Sequence, residues 1–139
     1  MRALSHLLAQ LIADYWLLNP LPVDVLIPVP LHARRLRERG YNQSSLLARH
    51  LSQIIDVPEV EEMLVRRKDT PPQARTSSAE QRHLNVTGAF TVHGRAIKGK
   101  RVMLIDDVCT SGATLDACAA VLKRVGAASV WGLTLAKET

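Results

Sequence analysis

The sequence predicts an α/β fold, a mostly parallel central sheet flanked by helices. Three observations carry that prediction. Strand-like and helix-like segments alternate along the chain. Val102–Ile105 is a continuous apolar run of the kind that suits a strand buried on both faces of a parallel sheet. That run then leads through a small-residue loop into a helical segment and a further strand. With 139 residues, 47% hydrophobic and 22% charged, the chain has the size of one globular domain and neither a disordered nor a collagen-like composition. A single domain over residues 1–139 is expected.

Each element follows from local pattern. Leu4, Leu7, Leu8, Leu11, Ile12 and Tyr15 recur at helical spacing, so residues 1–19 are read as an amphipathic helix packed on the domain through that stripe. His6, Gln10 and Asp14 interrupt the run, which makes it too polar for a signal peptide or a bilayer span, and no membrane insertion is expected. Pro20 and Pro22 stop the helix, and Val23–Val29 reads as a strand ended by Pro28 and Pro30 and feeding an Arg-rich loop, Leu31–Gly40. Ser44 or Ser45 can cap a second helix with the stripe Leu46, Leu47, His50, Leu51, Ile54 and Ile55. Val60–Arg66 reads as a strand and Arg67–Thr76 as a polar loop. Ser78 with Gln81 resembles a capping box for a short helix ending near Asn85, and Ala89–Val92 is a brief strand. Arg101–Val108 is the buried strand, Cys109–Thr114 a loop, Leu115–Val125 a helix closed by Gly126, and Ser129–Leu135 the last strand.

Charge and composition narrow the functions. Residues 31–101 carry 14 basic and 7 acidic side chains, net +7, whereas the remainder is net −2. The middle of the chain therefore attracts anions, although a basic surface also keeps a small domain soluble. Aromatic residues make up 4%, too few for the stacking platforms that grip single strands. Cys109 and Cys118 form no CxxC pair, so neither a zinc site nor a disulfide framework is indicated, which fits a reducing cytoplasm.

The chemistry concentrates where the buried strand ends. Asp106 and Asp107 are followed by Thr110, Ser111, Gly112 and Thr114 as a helix begins. A helix N-terminus offers unsatisfied N–H groups and the positive end of its dipole, so a phosphate can dock there while hydroxyls complete the cage. Carboxylates beside it can take the hydroxyls of a sugar. Asp107 and Thr110 can equally serve as helix caps.

VMLIDDVCTSGAT, Val102–Thr114, resembles the signature of type I phosphoribosyltransferases. IPVPLHARRLRERGYNQ at Ile27–Gln43, the spaced Arg66, Thr70 and Gln73, and Arg82, Asn85, Gly88, Ala89 and Phe90 resemble the ComF-type competence family. The resemblance covers roughly residues 20–138. It implies a Rossmann-like parallel sheet, a cytoplasmic protein, and binding of phosphoribosyl pyrophosphate, or ribose 5-phosphate, with magnesium. Asp106 and Asp107 would act at the ribose hydroxyls. Cys109, Thr110, Ser111, Gly112, Ala113 and Thr114 would wrap the 5-phosphate. Leu31, His32 and Arg34 fall where such folds place a pyrophosphate loop, and Arg66, Arg67, Lys68, Gln73 and Arg82 match a segment expected to close as a hood. Magnesium keeps several waters and binds mainly through substrate oxygens, so no all-protein cage is expected; Asp106 and Asp107 would meet it through water or ribose hydroxyls.

Two departures qualify the resemblance. Purine-salvage relatives usually carry an acid at the position of Thr110, so a purine acceptor is disfavoured. ComF-type proteins commonly carry an N-terminal four-cysteine zinc module, expected here to be either trimmed away or never present. As partners, the family association adds single-stranded DNA or proteins of the competence machinery, and the Arg34, Arg35, Arg37 and Arg39 cluster can hold a nucleic-acid backbone. The acceptor of the phosphoribosyl group has no recognisable pattern in the sequence. A noncatalytic phosphoribosyl-binding regulator or a DNA-handling scaffold stands as the alternative to an enzyme.

Overall fold

The apolar run Val102–Ile105 lies in the middle strand of a parallel sheet, and the other elements are arranged around it. The computed structural model describes residues 2–18, 22–67, 89–94, 96–109 and 112–137. In chain order they form α1 (Arg2–Leu18), β1 (Val25–Pro28), α2 (Ala33–Arg39), α3 (Gln43–Ile55), β2 (Leu64–Arg66), β3 (Phe90–Val92), β4 (Arg101–Cys109), α4 (Ala113–Arg124) and β5 (Ser129–Lys137). β4 pairs in parallel with β1 on one side and β5 on the other, Val25 lying opposite Val102 and Arg101 opposite Ser129. A parallel bridge from Leu26 to Glu59 extends this sheet beyond β1. β2 and β3 form a separate antiparallel pair. The α/β class and the parallel central sheet flanked by helices are as the sequence predicts.

β4 is buried on both faces, with Val102–Ile105 each at most 1% exposed. Its side chains alternate between two cores, as a strand requires. Val102 and Leu104 join Val25, Ile27, Phe90 and, from α4, Cys118 and Leu122. Met103 and Ile105 join Leu26 and, from α3, Leu47 and Leu51. Each such large side chain stabilises the fold by about 1.5–3 kcal/mol on burial.

Four expectations need correction. Leu31–Gly40 is largely helix rather than loop, because ARRLRER consists of good helix formers. His32 caps that helix by accepting the Arg34 N–H on Nδ1 at 3.2 Å. Gly40, at φ 83°, ends it with its N–H on the Leu36 carbonyl at 2.7 Å. The next helix is capped by Asn42, not by Ser44 or Ser45. The run Val60–Arg66 is divided: Val60 N–H donates to the Leu26 carbonyl beside β1, and only Leu64–Arg66 pairs with β3.

The fourth correction concerns α1, which forms where expected but turns another face inward. Ala9 and Ala13 are fully buried and Ile12 and Trp16 half-buried against the α3 side, while Leu7, Leu11 and Tyr15 are 57%, 58% and 65% exposed. The small alanine side chains let the two helices approach closely, which a leucine stripe would prevent. Among the described residues no helix is long and apolar enough to cross a membrane. The helix expected at Ser78–Asn85, and the loop Arg67–Thr76 beyond its first residue, lie outside the described residues.

At the starts of β1 and β4, Asp24 and Arg101 clamp the sheet. The Asp24 carboxylate accepts the Arg101 backbone N–H at 2.8 Å, its Nε at 3.0 Å and its Nη2 at 2.9 Å. These bonds hold the Asp24 carboxyl well below the usual carboxylate range and raise Arg101 further. A depressed carboxyl contributes stability that is complete above its unfolded value, about 4, and disappears as pH falls below it. Asp24→Asn is therefore expected to lower the melting temperature at pH 7 and to flatten the acid limb of a plot of melting temperature against pH. Superimposable profiles would show that the clamp does not contribute.

Candidate functional site

β1 and β4 end side by side, with the Val29 N–H donating to the Ile105 carbonyl at 2.8 Å. The loops that leave them start from one edge, and beyond it lies a pocket of about 120 Å³. Val29, Pro30 and Leu31 wall it from the β1 side, and Asp106 and Thr114 from the β4–α4 side. Arg39, Asn42 and Ser44 enter from the α2–α3 turn, and Arg66 from the end of β2.

Two helix N-termini converge here. Thr114 is the second residue of α4, whose N-cap is Gly112 at φ 80°. Gly112 is required by that left-handed backbone rather than by crowding, since a Cβ there would meet no atom within 4 Å. On the other wall, α3 begins at Asn42, whose Oδ1 accepts the Ser44 N–H at 3.0 Å and whose Nδ2 donates to the Val29 carbonyl at 3.1 Å. One side chain thus caps the helix and ties it to the loop after β1. Ser44, 3% exposed, is held at this junction. Each helix N-terminus favours an anion by about 0.3–1 kcal/mol, and more in a partly buried setting.

Charge completes the arrangement. Asp106 is 8% exposed and supplies a carboxylate at the strand end, while Arg39 and Arg66 bring guanidinium groups to the same pocket. Arg66 stacks over the Phe90 ring, its Cζ 5.3 Å from the centroid. Burial pushes the Cys118 thiol up, the Asp106 carboxylate pushes it further and Arg66 partly opposes them, so Cys118 is an inert core residue and not a nucleophile. Pockets of this kind, with convergent polar groups at the carboxyl ends of parallel strands, are where α/β sheets bind ligands. A wider groove of about 410 Å³ lies across the Pro30–Leu31–Asn42 wall, between α2 and α3. It reaches the end of β1 through Pro28 but no residue of β4 or α4, whereas the smaller pocket joins both strand ends and both helix starts and is the candidate site.

Of the residues singled out from sequence, Leu31, Arg66, Asp106 and Thr114 meet at this pocket, with Gly112 and Ala113 at the start of α4. His32 and Arg34 do not line it. His32 caps α2, and Arg34 Nε lies 3.6 Å from Glu38 on the exposed face of that helix. Arg67 turns the opposite way from Arg66, as neighbours on a strand do, and its Nε donates to Thr91 Oγ1 at 3.0 Å. Asp107 and Cys109 belong to β4. Lys68, Gln73, Arg82, Thr110 and Ser111 lie outside the described residues. Arg39, Asn42 and Ser44 line the pocket without having been chosen as site residues. The signal for them was capping chemistry, a glycine after Arg39 and an Asn at the start of a helical stripe.

Three comparisons bear on this geometry. Residues 41–138 match the family described as phosphoribosyl transferase domain. The chain is 37% identical over 140 residues to competence protein F of Haemophilus influenzae, covering 97% of this chain and 61% of that protein. It is 36% identical over 107 residues to DNA utilization protein YhgH of Escherichia coli strain K12, covering 77% of this chain and 46% of that protein. The chain thus spans about half to three-fifths of the length of these relatives. Its fold is like that of the purine phosphoribosyltransferase from Pyrococcus horikoshii, with TM-score 0.56 and 23% identity, over 93% of this chain and 69% of that one.

Asn42→Ala removes the cap and the tie to Val29 together and is expected to lower unfolding free energy by about 1–2 kcal/mol in urea titration. Asn42→Asp keeps the acceptor for Ser44 and loses only the donor, so its loss should be smaller. Equal losses would assign the whole effect to the Val29 tie.

Proposed function

The chain belongs to the phosphoribosyl transferase domain family, in its ComF-type competence branch, and we propose that it binds phosphoribosyl pyrophosphate with magnesium and transfers the phosphoribosyl group to an acceptor. The observation that carries this reading is the convergence of two helix N-termini and two arginines on one buried carboxylate. The ligand that this arrangement suits has an anionic group at each end and hydroxyls between. On this reading the start of α4, Gly112–Thr114, takes the 5-phosphate. Asp106 accepts from the ribose hydroxyls. The start of α3 together with Arg39 faces the pyrophosphate.

Transfer breaks the bond from ribose C1 to the pyrophosphate oxygen and forms one from C1 to the acceptor, while the electron pair of the broken bond leaves with the pyrophosphate. The residues named here position the donor and neutralise the leaving group, and Arg suits the second task because its fork stays charged and grips phosphate bidentately. Among the described residues no group of three His, Cys, Asp or Glu side chains could hold a metal ion. The buried carboxylate of Asp106 nonetheless fits a hydrated cation carried in on the donor's oxygens, and magnesium bound there would offset the charge of the pyrophosphate.

Calorimetric titration of phosphoribosyl pyrophosphate, with ribose 5-phosphate as a control, tests the reading. Magnesium-dependent binding that favours the pyrophosphate is expected, and Asp106→Asn should weaken it about tenfold or more through lost charge-assisted hydrogen bonds. Absence of binding by the unsubstituted chain in the presence of magnesium would overturn the donor site.

A second reading is favoured by α2, where Arg34, Arg37 and Arg39 are all exposed, together with the name of the Escherichia coli relative. If this face tracks single-stranded DNA through about three phosphates, log affinity should fall against log salt with a slope of about −2. No binding at low salt would exclude it.

A further inference from the structure

We propose that the outward face of α1, together with Trp131 of β5, is an interface for a second copy of this chain, the two copies being related by a twofold axis. Among the described residues seven large apolar side chains are exposed, and five of them, Leu7, Leu11, Tyr15, Leu18 and Trp131, lie on one side of the parallel sheet. α1 packs on that side through Ala9 and Ala13, which share a core with Met103. Trp131 is the register partner of Met103 on β5, so its side chain emerges on the same side. Leu18 is 82% exposed and Trp131 44%. A single exposed leucine needs no explanation, but a row of them flanked by aromatic rings marks an interaction surface.

Geometry favours a copy of the chain itself as the occupant. The spacing from Leu7 to Leu11, Tyr15 and Leu18 keeps these side chains in one row, about 17 Å long, on the helix. A twofold axis crossing the row between Leu11 and Tyr15 sets Leu7 against Leu18 of the partner subunit and Leu11 against Tyr15 of the partner subunit, so the row is its own complement. With Trp131 the face presents on the order of 600 Å² of mostly apolar surface, close to the roughly 800 Å² per partner that a stable interface buries. Charge agrees with this. The basic excess lies in residues 31–101, net +7, whereas the rest of the chain, which supplies this face, is net −2. Two copies can therefore meet here without bringing their basic surfaces together. Among the described residues β5 is an edge strand, and from Ser129 to Leu133 it carries neither charge nor proline, the usual protection of such an edge.

Sedimentation equilibrium of the purified chain tests the interface. The weight-average mass is expected to rise with concentration from 15.3 kDa towards twice that value. Leu11→Glu, at a position 58% exposed in the single chain, should leave the far-ultraviolet circular dichroism unchanged. It should raise the dissociation constant by about a hundredfold or more, because each copy would bury a charge against the partner's ring. Tyr15→Lys should do the same. An equimolar mixture of the two variants should associate again, since the axis places position 11 of one copy against position 15 of the other and the charges are then opposite. A mass of 15.3 kDa at every concentration overturns the proposal and gives the face another occupant. Association that Leu11→Glu leaves intact also overturns it, since the contact then lies elsewhere. So does a mixture of the variants that stays monomeric, which rules out the twofold pairing.

Discussion

A parallel sheet obliges the chain to travel back along each strand before it can start the next, and that return path governs where everything else in this protein lies. β1 is followed by α3 and then by the segment at Glu59 that pairs in parallel beside it; β4 is followed by α4 and then by β5. Each returning helix runs against its strand, so its N-terminus comes to rest at the strand's carboxyl end. The two positive helix ends therefore arrive at one edge as a result of strand direction alone. Burial of β4 on both faces then decides which polar groups can meet them: Asp106 stands where the apolar run stops.

The two walls of the pocket are built differently. On the α4 side three residues separate the strand from the helix, the last of them the N-cap Gly112. On the α3 side a whole extra helix, α2, intervenes, and the wall is closed by a single side chain. Asn42 spans from the α3 N-terminus to the Val29 carbonyl, so one of its hydrogen bonds caps α3 and the other ties that helix start to the loop after β1. The β2–β3 pair approaches the same edge from outside the parallel sheet and delivers Arg66.

Much of this was legible from residue order, and the exceptions have physical causes. The β4–α4–β5 unit could be read because an apolar run closed by acids and a glycine has few other folded solutions, and Gly112, Thr114 and Asp106 came with it. α2 was hidden because seven residues carrying four arginines show no apolar stripe, and its helicity is set by propensity and caps. Arg39, Asn42 and Ser44 were missed for the same reason, since they act from helix ends and not from a motif loop. In α1 the leucine periodicity was real but named the wrong face, because close helix packing selects small residues that periodicity arguments discount. Val60–Arg66 looked like one strand because each part is extended, although the halves serve different sheets.

The Asp24–Arg101 clamp lies at the opposite end of β1 and β4 from Asp106. One pair of strands therefore has an anchoring end and a working end, separated by the length of a dry core. Residues near the pocket can diverge to suit a different ligand while the anchor holds the register, and substitutions at the anchor can shift thermal tolerance without disturbing the pocket. That separation lets inheritance change one property at a time.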